Sequence, residues 1–250
     1  MSGHSKWSTI KRKKGAEDAK RGKLFTKLSR AIIIAAREGG PDPESNAPLA
    51  TAIAKARSYS MPKDNIERAI ARATGGGEGS DAYEAVTYEG YGPDGVAIIV
   101  EALTDNRNRT AADVRSIFAK HNSSLGTPGS VAWQFERMGM IEIPAGGVDE
   151  DELMLAAADA GAEDVQTDGE TMRVTTPAAD LATVRDALEQ SGYAIDSAEL
   201  TMLPKNTVGM DEDGARKLLR LIDALEDLDD VQDVYANFDI PDAVLEAVAG

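Results

Sequence analysis

Apolar residues recur at helical spacing through the first 75 residues of the chain. From about Ala16 to Glu38 they fall on one side at about 100° per residue, which predicts an amphipathic helix. A second helix is predicted over about 46–58. Pro62 suits the first turn of a third helix, and Gly75 suits its end. We therefore expect a small three-helix unit.

Beyond the glycine-rich segment 75–79, the pattern becomes that of strands. Val86–Tyr88 and Val96–Leu103 predict two strands, and the wholly apolar start of the second predicts burial on both faces. A helix is predicted to begin at Thr110, followed by a strand over Val131–Phe135. This part of the chain therefore predicts an α/β structure.

Residues 138–203 predict the order strand, helix, strand, strand, helix, strand, which is typical of a ferredoxin-like domain. The predicted segments are Met140–Ile143, Asp151–Ala160, Val165–Thr167, Met172–Thr175, Ala179–Gln190 and a strand within Tyr193–Leu203. An acidic helix over Asp211–Leu228 and a last strand over Val231–Asn237 follow. The expected fold class is α+β.

Charge is distributed unevenly along the 250 residues, whose net charge is −16. Residues 1–75 contain 16 lysines and arginines against 7 acids, whereas the rest contains 11 against 36. An asymmetry of this size indicates that one end contacts a polyanion while the remainder keeps the protein soluble.

Ten of these cations lie within the first 30 residues, where the only acids are Glu17 and Asp18. They are Lys6, Lys11, Arg12, Lys13, Lys14, Lys20, Arg21, Lys23, Lys27 and Arg30. Nucleic-acid phosphates attract such a cluster through counterion release, although a solvated tail and a charged helix face would show the same pattern. Trp7 is either a surface for base stacking or a packing anchor.

A second polar cluster, Asp105–Thr110, lies between a predicted buried strand and a predicted helix. Its Arg107 and Arg109, beside two asparagines, suit contact with a phosphate or a sugar at a helix N-terminus. A polar loop that satisfies its own backbone is the alternative. The sequence leaves both interpretations open.

The sequence contains no recognisable metal, cofactor or catalytic site. The chain has no cysteine and two distant histidines, the glycine run lacks the ending of a phosphate-binding loop, and no catalytic arrangement is recognisable. We expect no enzyme activity, no cofactor and no bound metal. The apolar run Ala31–Ala36 is too short to span a bilayer, so we expect a cytoplasmic protein with no membrane partner.

The chain resembles the YebC/PmpR family, whose members are described as transcriptional regulators and whose mitochondrial relatives are described as translational activators of cytochrome c oxidase. The resemblance spans essentially the whole chain. Its motifs are Gly3–Trp7, Asp18–Lys23, Phe25–Leu28, Met61–Ile66, Tyr88–Pro93, Leu103–Thr110 and Gly129–Trp133.

The resemblance implies three domains: an N-terminal helical domain and two α/β domains, one inserted into the other. On this sequence the expected boundaries are 1–79, then 80–135 with 204–250, and 136–203 for the ferredoxin-like insertion.

The resemblance also implies a DNA-binding transcriptional regulator or, as the alternative, a translation factor that binds the ribosome and its RNA. An enzyme with a small-molecule pocket is the least favoured reading. The oligomeric state stays unassigned.

Overall fold

The computed structural model describes residues 18–74, 83–241 and 244, with side chains of the first helix from Gly22 onward. The helices are α1 (Asp18–Gly39), α2 (Ala47–Ser58), α3 (Lys63–Thr74), α4 (Arg107–Lys120), α5 (Glu150–Ala160), α6 (Leu181–Gln190) and α7 (Glu212–Glu226). The strands are β1 (Glu84–Tyr91), β2 (Ala97–Thr104), β3 (Ser124–Leu125), β4 (Phe135–Pro144), β5 (Asp164–Asp168), β6 (Thr171–Pro177), β7 (Ser197–Pro204), β8 (Val208–Gly209), β9 (Val231–Ala236) and β10 (Phe238–Asp239). The fold is α+β, as expected, with helices first and β-rich domains after them.

The chain divides into two compact units. The first contains residues 1–31, 76–136 and 203–250, and the second contains 32–75 and 137–202. The three-domain boundaries expected from the sequence stay a prediction.

The first unit is built on a four-stranded sheet in the order β3-β1-β2-β9. Strand β2 lies antiparallel between β1 and β9, so the chain returns to this sheet after the ferredoxin-like segment. The core beside the sheet contains Val100 of β2, Phe118 of α4 and Leu218 of α7, all fully or almost fully buried. Burial on both faces explains why β2 is apolar at almost every position.

The second unit contains a sheet in the order β5-β6-β4-β7, with α5 and α6 supplying Leu153 and Leu188 to its core. This is the strand order of a ferredoxin-like domain. Buried Arg173 of β6 contacts the carboxylates of Glu142 and Asp168 in ion pairs, which compensates its desolvation.

The side chain of Asn46 stabilises the turn between α1 and α2 through three hydrogen bonds. Its side-chain amide donates to the carbonyl oxygens of Ala35 and Gly40, and its side-chain oxygen accepts from the amide of Leu49 as the N-cap of α2. Gly40 has a φ of +92°, a left-handed conformation that suits glycine at the end of a helix.

Two sequence predictions at element boundaries are wrong. Helix α4 begins at Arg107, because the side chain of Asn106 accepts from the amide of Arg109 as the N-cap, while the buried Thr110 hydroxyl bonds to Thr104 and Asp230 within the helix. A 3-10 turn at Ala132–Gln134 replaces the predicted strand over Val131–Phe135, and the strand begins at its last residue and runs on as β4.

Candidate nucleic-acid interface

An acidic turn, defined here as Glu226–Asp230, joins the C-terminus of α7 to β9. It combines the carbonyl oxygens that end a helix with four carboxylates in five residues. The partial negative charge of a helix C-terminus and these carboxylates both favour a cation at this place. The turn is therefore an anionic site made by the protein itself.

Three candidate cations of α1 face this turn. Lys23, Lys27 and Arg30 are spaced four and three residues apart, which puts them on one side of the helix. The Lys27 ammonium donates to the carbonyl oxygen of Glu226, and Arg30 donates to that of Asp229 at 2.8 Å. Lys23 is half-exposed and 3.9 Å from the carboxylate of Asp227, a weak contact.

The environment of Lys27 perturbs its titration. Burial lowers the pKa of Lys27, and the nearby carboxylates of Glu226, Asp233, Asp229 and Asp227 reduce the shift without cancelling it. The Lys27 ammonium is therefore partly withdrawn from water.

Asp230 is the centre of the contacts around the turn. One carboxylate oxygen accepts from the guanidinium of Arg109 and the hydroxyl of Thr110, each at 2.7 Å, and from Thr104 at 3.2 Å. The other oxygen accepts from Arg30 at 2.9 Å. One nearly buried carboxylate thus joins α1, β2 and α4 to the start of β9.

These contacts set the titration of Asp230. Its burial would raise the pKa, but the hydrogen bonds from Arg109 and Thr110 and the positive charges of Arg109 and Arg30 outweigh that effect, and the pKa is lowered. Arg30 also donates to the carbonyl oxygen of Leu103 at 3.2 Å and lies 4.8 Å from the ring centroid of Tyr83. Asp230 is therefore a carboxylate, and Arg30 is held from several sides.

The two arginines of the Asp105–Thr110 cluster differ. Arg109 bonds to Asp230 and to Asp105, both at 2.7 Å, and the pKa of its guanidinium is raised by these bonds. Arg107 is 65% exposed, and its ion pair with the exposed Glu84 is long, at 3.6 Å. Arg109 therefore stabilises the fold, whereas Arg107 points a lightly paired charge to solvent.

A second buried carboxylate, Glu89 of β1, orders the segment before β4. It accepts the backbone amides of Gly129, Val131 and Ala132 at 2.6, 2.7 and 2.8 Å. Burial would raise the pKa of Glu89, but these three hydrogen bonds lower it. The segment Gly129–Trp133, called the Trp133 loop below, is therefore bonded to the sheet from inside.

The other candidate residues lie at or before the first turn of α1. Lys20 and Arg21 belong to the first turn of α1, where only the backbone is described. The remaining candidates lie outside the described residues: Lys6, Trp7, Lys11, Arg12, Lys13 and Lys14. The assignment of all these residues to a nucleic-acid contact stays a prediction.

Sequence reasoning missed two residues that organise this region. Asp230 is one of several acids in an acidic stretch, and no local pattern separates it from Asp227 or Asp229. Glu89 sits in a strand at a position whose partners lie 40 or more residues away. Glu89 belongs to the family motif Tyr88–Pro93, but the motif does not indicate what its carboxylate binds.

Two family models match this chain almost end to end. The model described as "TACO1/YebC protein N-terminal domain" matches residues 5–76, and that described as "TACO1/YebC second and third domain" matches residues 83–238. The chain belongs to the TACO1/YebC family. The resemblance read from the sequence motifs is thereby confirmed.

Relatives of high identity carry a common description. A protein of Rubrobacter xylanophilus is 62% identical over 250 residues, and one of Dictyoglomus turgidum is 56% identical over 250 residues, with each alignment covering 100% of both chains. Both are described as "Probable transcriptional regulatory protein".

A solved structure of a conserved hypothetical protein from Aquifex aeolicus is 51% identical to this TACO1/YebC-family chain. It has a TM-score of 0.81 and covers 90% of this chain and 93% of its own. In the part of the chain that the structure describes, no helix is long and apolar enough to cross a membrane.

Proposed function

We propose that this protein is a non-enzymatic regulator of gene expression that acts in the cytoplasm and binds nucleic acid through the phosphate backbone. The observation that carries the proposal is the charge at the start of the chain. Seven lysines and arginines precede Gly22, against two acids, in a chain whose net charge is −16. Counterion release favours contact between such a segment and phosphates. The description of the relatives as transcriptional regulatory proteins supports the regulatory role.

The contacts of the acidic turn reduce the number of cations that are available to bind phosphates. Lys27, Arg30 and Arg109 already bind oxygens of the protein, so a phosphate would have to displace them. We therefore assign phosphate contact first to the cations between Lys6 and Arg21, and then to Lys23 and Arg107, whose ion pairs are long and exposed.

Double-stranded DNA is the first candidate ligand, because the relatives' description names transcription. Ribosomal RNA is the second candidate ligand, and the sequence of α2, which contains one arginine and no asparagine or glutamine, is consistent with it. Sequence readout in the major groove uses Arg, Asn or Gln side chains on a helix face. In α3 the side chain of Arg68 bonds to Asn65 of its own helix, which reduces its availability for bases. Backbone and shape recognition would suit structured RNA as well as DNA.

A charge-neutralisation experiment tests the binding site. We expect Lys11, Arg12, Lys13 and Lys14 changed together to Gln to weaken binding and to reduce the slope of log affinity against log salt by about 3 to 4, since each phosphate contact contributes about 0.9. A matched control changes four exposed cations elsewhere to Gln: Lys120, Arg216, Lys217 and Arg220. Equal slopes for both variants would contradict the assignment.

A second experiment decides between the two ligands. Crosslinking in cells, followed by sequencing of the recovered DNA and RNA, should enrich one class for the wild type and lose it for the four-residue N-terminal variant. Discrete peaks at promoters would support binding to DNA, and enrichment of ribosomal RNA would support binding to the ribosome. Absence of enrichment in both classes would contradict nucleic-acid binding.

A further inference from the structure

Trp133 is a large apolar side chain exposed to solvent within the first unit. It is 65% exposed, and Glu89 and Tyr91 of β1 form hydrogen bonds with its loop. Single exposed apolar residues are common on protein surfaces, so exposure alone indicates no function. The loop that contains Trp133 is, in addition, held in place by hydrogen bonds within the same unit.

The Trp133 loop is ordered by bonds that do not involve any partner. Besides the three amides bound by Glu89, the hydroxyl of Tyr91 donates to the carbonyl oxygen of Ser130 at 2.9 Å. Gly129 has a φ of +86°, which other residues rarely adopt. Burying the charge of Glu89 is costly unless hydrogen bonds compensate it, and here all those bonds go to the backbone just before Trp133. A partner that binds Trp133 therefore meets a surface that loses little freedom on binding.

The bonds of the indole indicate what kind of partner fits. Its Nε1–H donates to the carbonyl oxygen of Ser130 at 3.1 Å, so its one polar group is already satisfied. The faces of the ring system are what remains for recognition. Stacking on a nucleobase requires only such a face, and every base offers one. Bases inside a duplex are already stacked on both sides, so the fitting base is an unpaired one.

A cation, Lys205, lies directly after β7 and is bonded through its backbone to the residue that follows Trp133. The backbone amide of Lys205 donates to the carbonyl oxygen of Gln134 at 2.7 Å, and the Lys205 side chain is exposed. An aromatic surface with a nearby cation is the combination that single-stranded nucleic acids bind, the base on the ring and the phosphate on the cation.

We propose that Trp133 is a stacking platform for an unpaired nucleobase. This inference rests on the proposed function, because it assumes that the ligand is nucleic acid, and it specifies that the ligand includes an unpaired segment. It places a base contact at the Trp133 loop, separate in sequence from the phosphate contacts of the N-terminal segment.

The test uses the chain's own fluorescence. The protein has two tryptophans, so Trp7→Phe leaves Trp133 as the single indole reporter. All comparisons are made in this background, which removes any contribution of Trp7. The probes are fluorescein-labelled oligoadenylate RNA and DNA of about eight nucleotides, within the usual site size for single strands, and duplexes of the same length. Indole emission and probe anisotropy are read in the same samples.

We expect single strands to quench Trp133 emission saturably, with the midpoint seen by anisotropy, and duplexes to quench it far less. Trp133→Ala should weaken single-strand binding by about 5- to 150-fold, the range typical of one stacked base, whereas Trp133→Tyr should retain most of it. Leu155→Ala is the matched control, because Leu155 is 69% exposed and apolar, and it should bind like the parent.

The two proposals fail in different ways. If anisotropy reports binding while Trp133 emission and the affinity of Trp133→Ala stay unchanged, or if duplexes quench as strongly as single strands, the stacking platform is refuted and the proposed function stands. If no probe binds, and neither duplex DNA nor ribosomal RNA binds the full chain, both proposals are refuted.

Discussion

Replacing Asp230 tests whether one carboxylate holds the first unit together. In Asp230→Ala, the hydroxyls of Thr104 and Thr110 and the guanidinium of Arg30 lose an acceptor in a place that is nearly closed to water. Leaving one partner of a buried ion pair uncompensated costs about 3–5 kcal/mol. Arg30 keeps two carbonyl acceptors, and Arg109 is exposed enough to be rehydrated. We therefore expect the lower end of that range, a loss of about 3 kcal/mol in the free energy of unfolding.

The assay is urea unfolding followed by Trp133 emission in the Trp7→Phe background, which reports the unit that contains Asp230. Asp227→Ala is the matched control, since Asp227 belongs to the same turn, its side chain is 74% exposed and its carboxylate contacts Lys23 only at 3.9 Å. An exposed pair of this kind contributes little, so we expect a change within about 0.5 kcal/mol. If Asp230→Ala were no more destabilising than this control, the Asp230 contacts would not stabilise the fold.

The same variants differ in their response to acid. The pKa of Asp230 is lower in the folded state than its ordinary value of 3.8, so its contribution is complete above that value and is lost as the pH falls through the lowered folded pKa. In Asp230→Ala this part of the acid destabilisation should be missing, whereas Asp227→Ala should keep it. Equal pH dependence of the unfolding free energy in wild type and Asp230→Ala would refute the reasoning.

Three further predictions concern single residues. Glu89→Gln should lower the free energy of unfolding, measured with urea, by about 2 kcal/mol, because a glutamine side chain cannot accept hydrogen bonds from all three backbone N–H groups. This difference from wild type should shrink as the pH falls through the lowered pKa of Glu89. Gly90→Ala should lower the free energy of unfolding by about 2 kcal/mol in the same assay, since the new Cβ would lie 2.8 Å from the carbonyl oxygen of Ser124. Gly22→Ala is the control and should not destabilise the protein, because the space around Gly22 is open. Lys27→Met should change the unfolding free energy by less than about 1 kcal/mol, because desolvation of the ammonium offsets its bond to Glu226; a larger loss would show that the charge is needed.

The fold was predictable where the pattern of apolar residues has a clear period. The helices α1, α2 and α3 and the whole strand and helix order of the ferredoxin-like segment follow from it, because each element buries one face. The errors lie where a tertiary bond determines the local structure. Thr110 has the sequence of a helix start, but its hydroxyl bonds to Thr104 and Asp230, and α4 begins three residues earlier.

The positions of the cations in the candidate site could be predicted from the sequence, but the groups that they bind could not. The stripe that contains Lys27 and Arg30 follows from helical spacing, whereas their partners lie about 200 residues further along the chain. No pattern along the sequence contains a contact of that separation. The same limit applies to Glu89, whose carboxylate bonds to the amides of a distant loop.

The charge asymmetry of the chain therefore has two physical consequences. Within the protein, the acidic turn offers carbonyl oxygens and the carboxylate of Asp230 as acceptors, and Lys27 and Arg30 donate to them. A polyanion at these two cations has to compete with groups that are covalently part of the same molecule, which favours the internal contact. The cations that precede Gly22 carry a net positive charge of their own, while residues 76–250, with 11 cations against 36 acids, repel phosphates elsewhere. On the proposed function, nucleic acid is thus directed to the start of the chain, because the carbonyl oxygen of Glu226 and the carboxylate of Asp230 already bind Lys27 and Arg30.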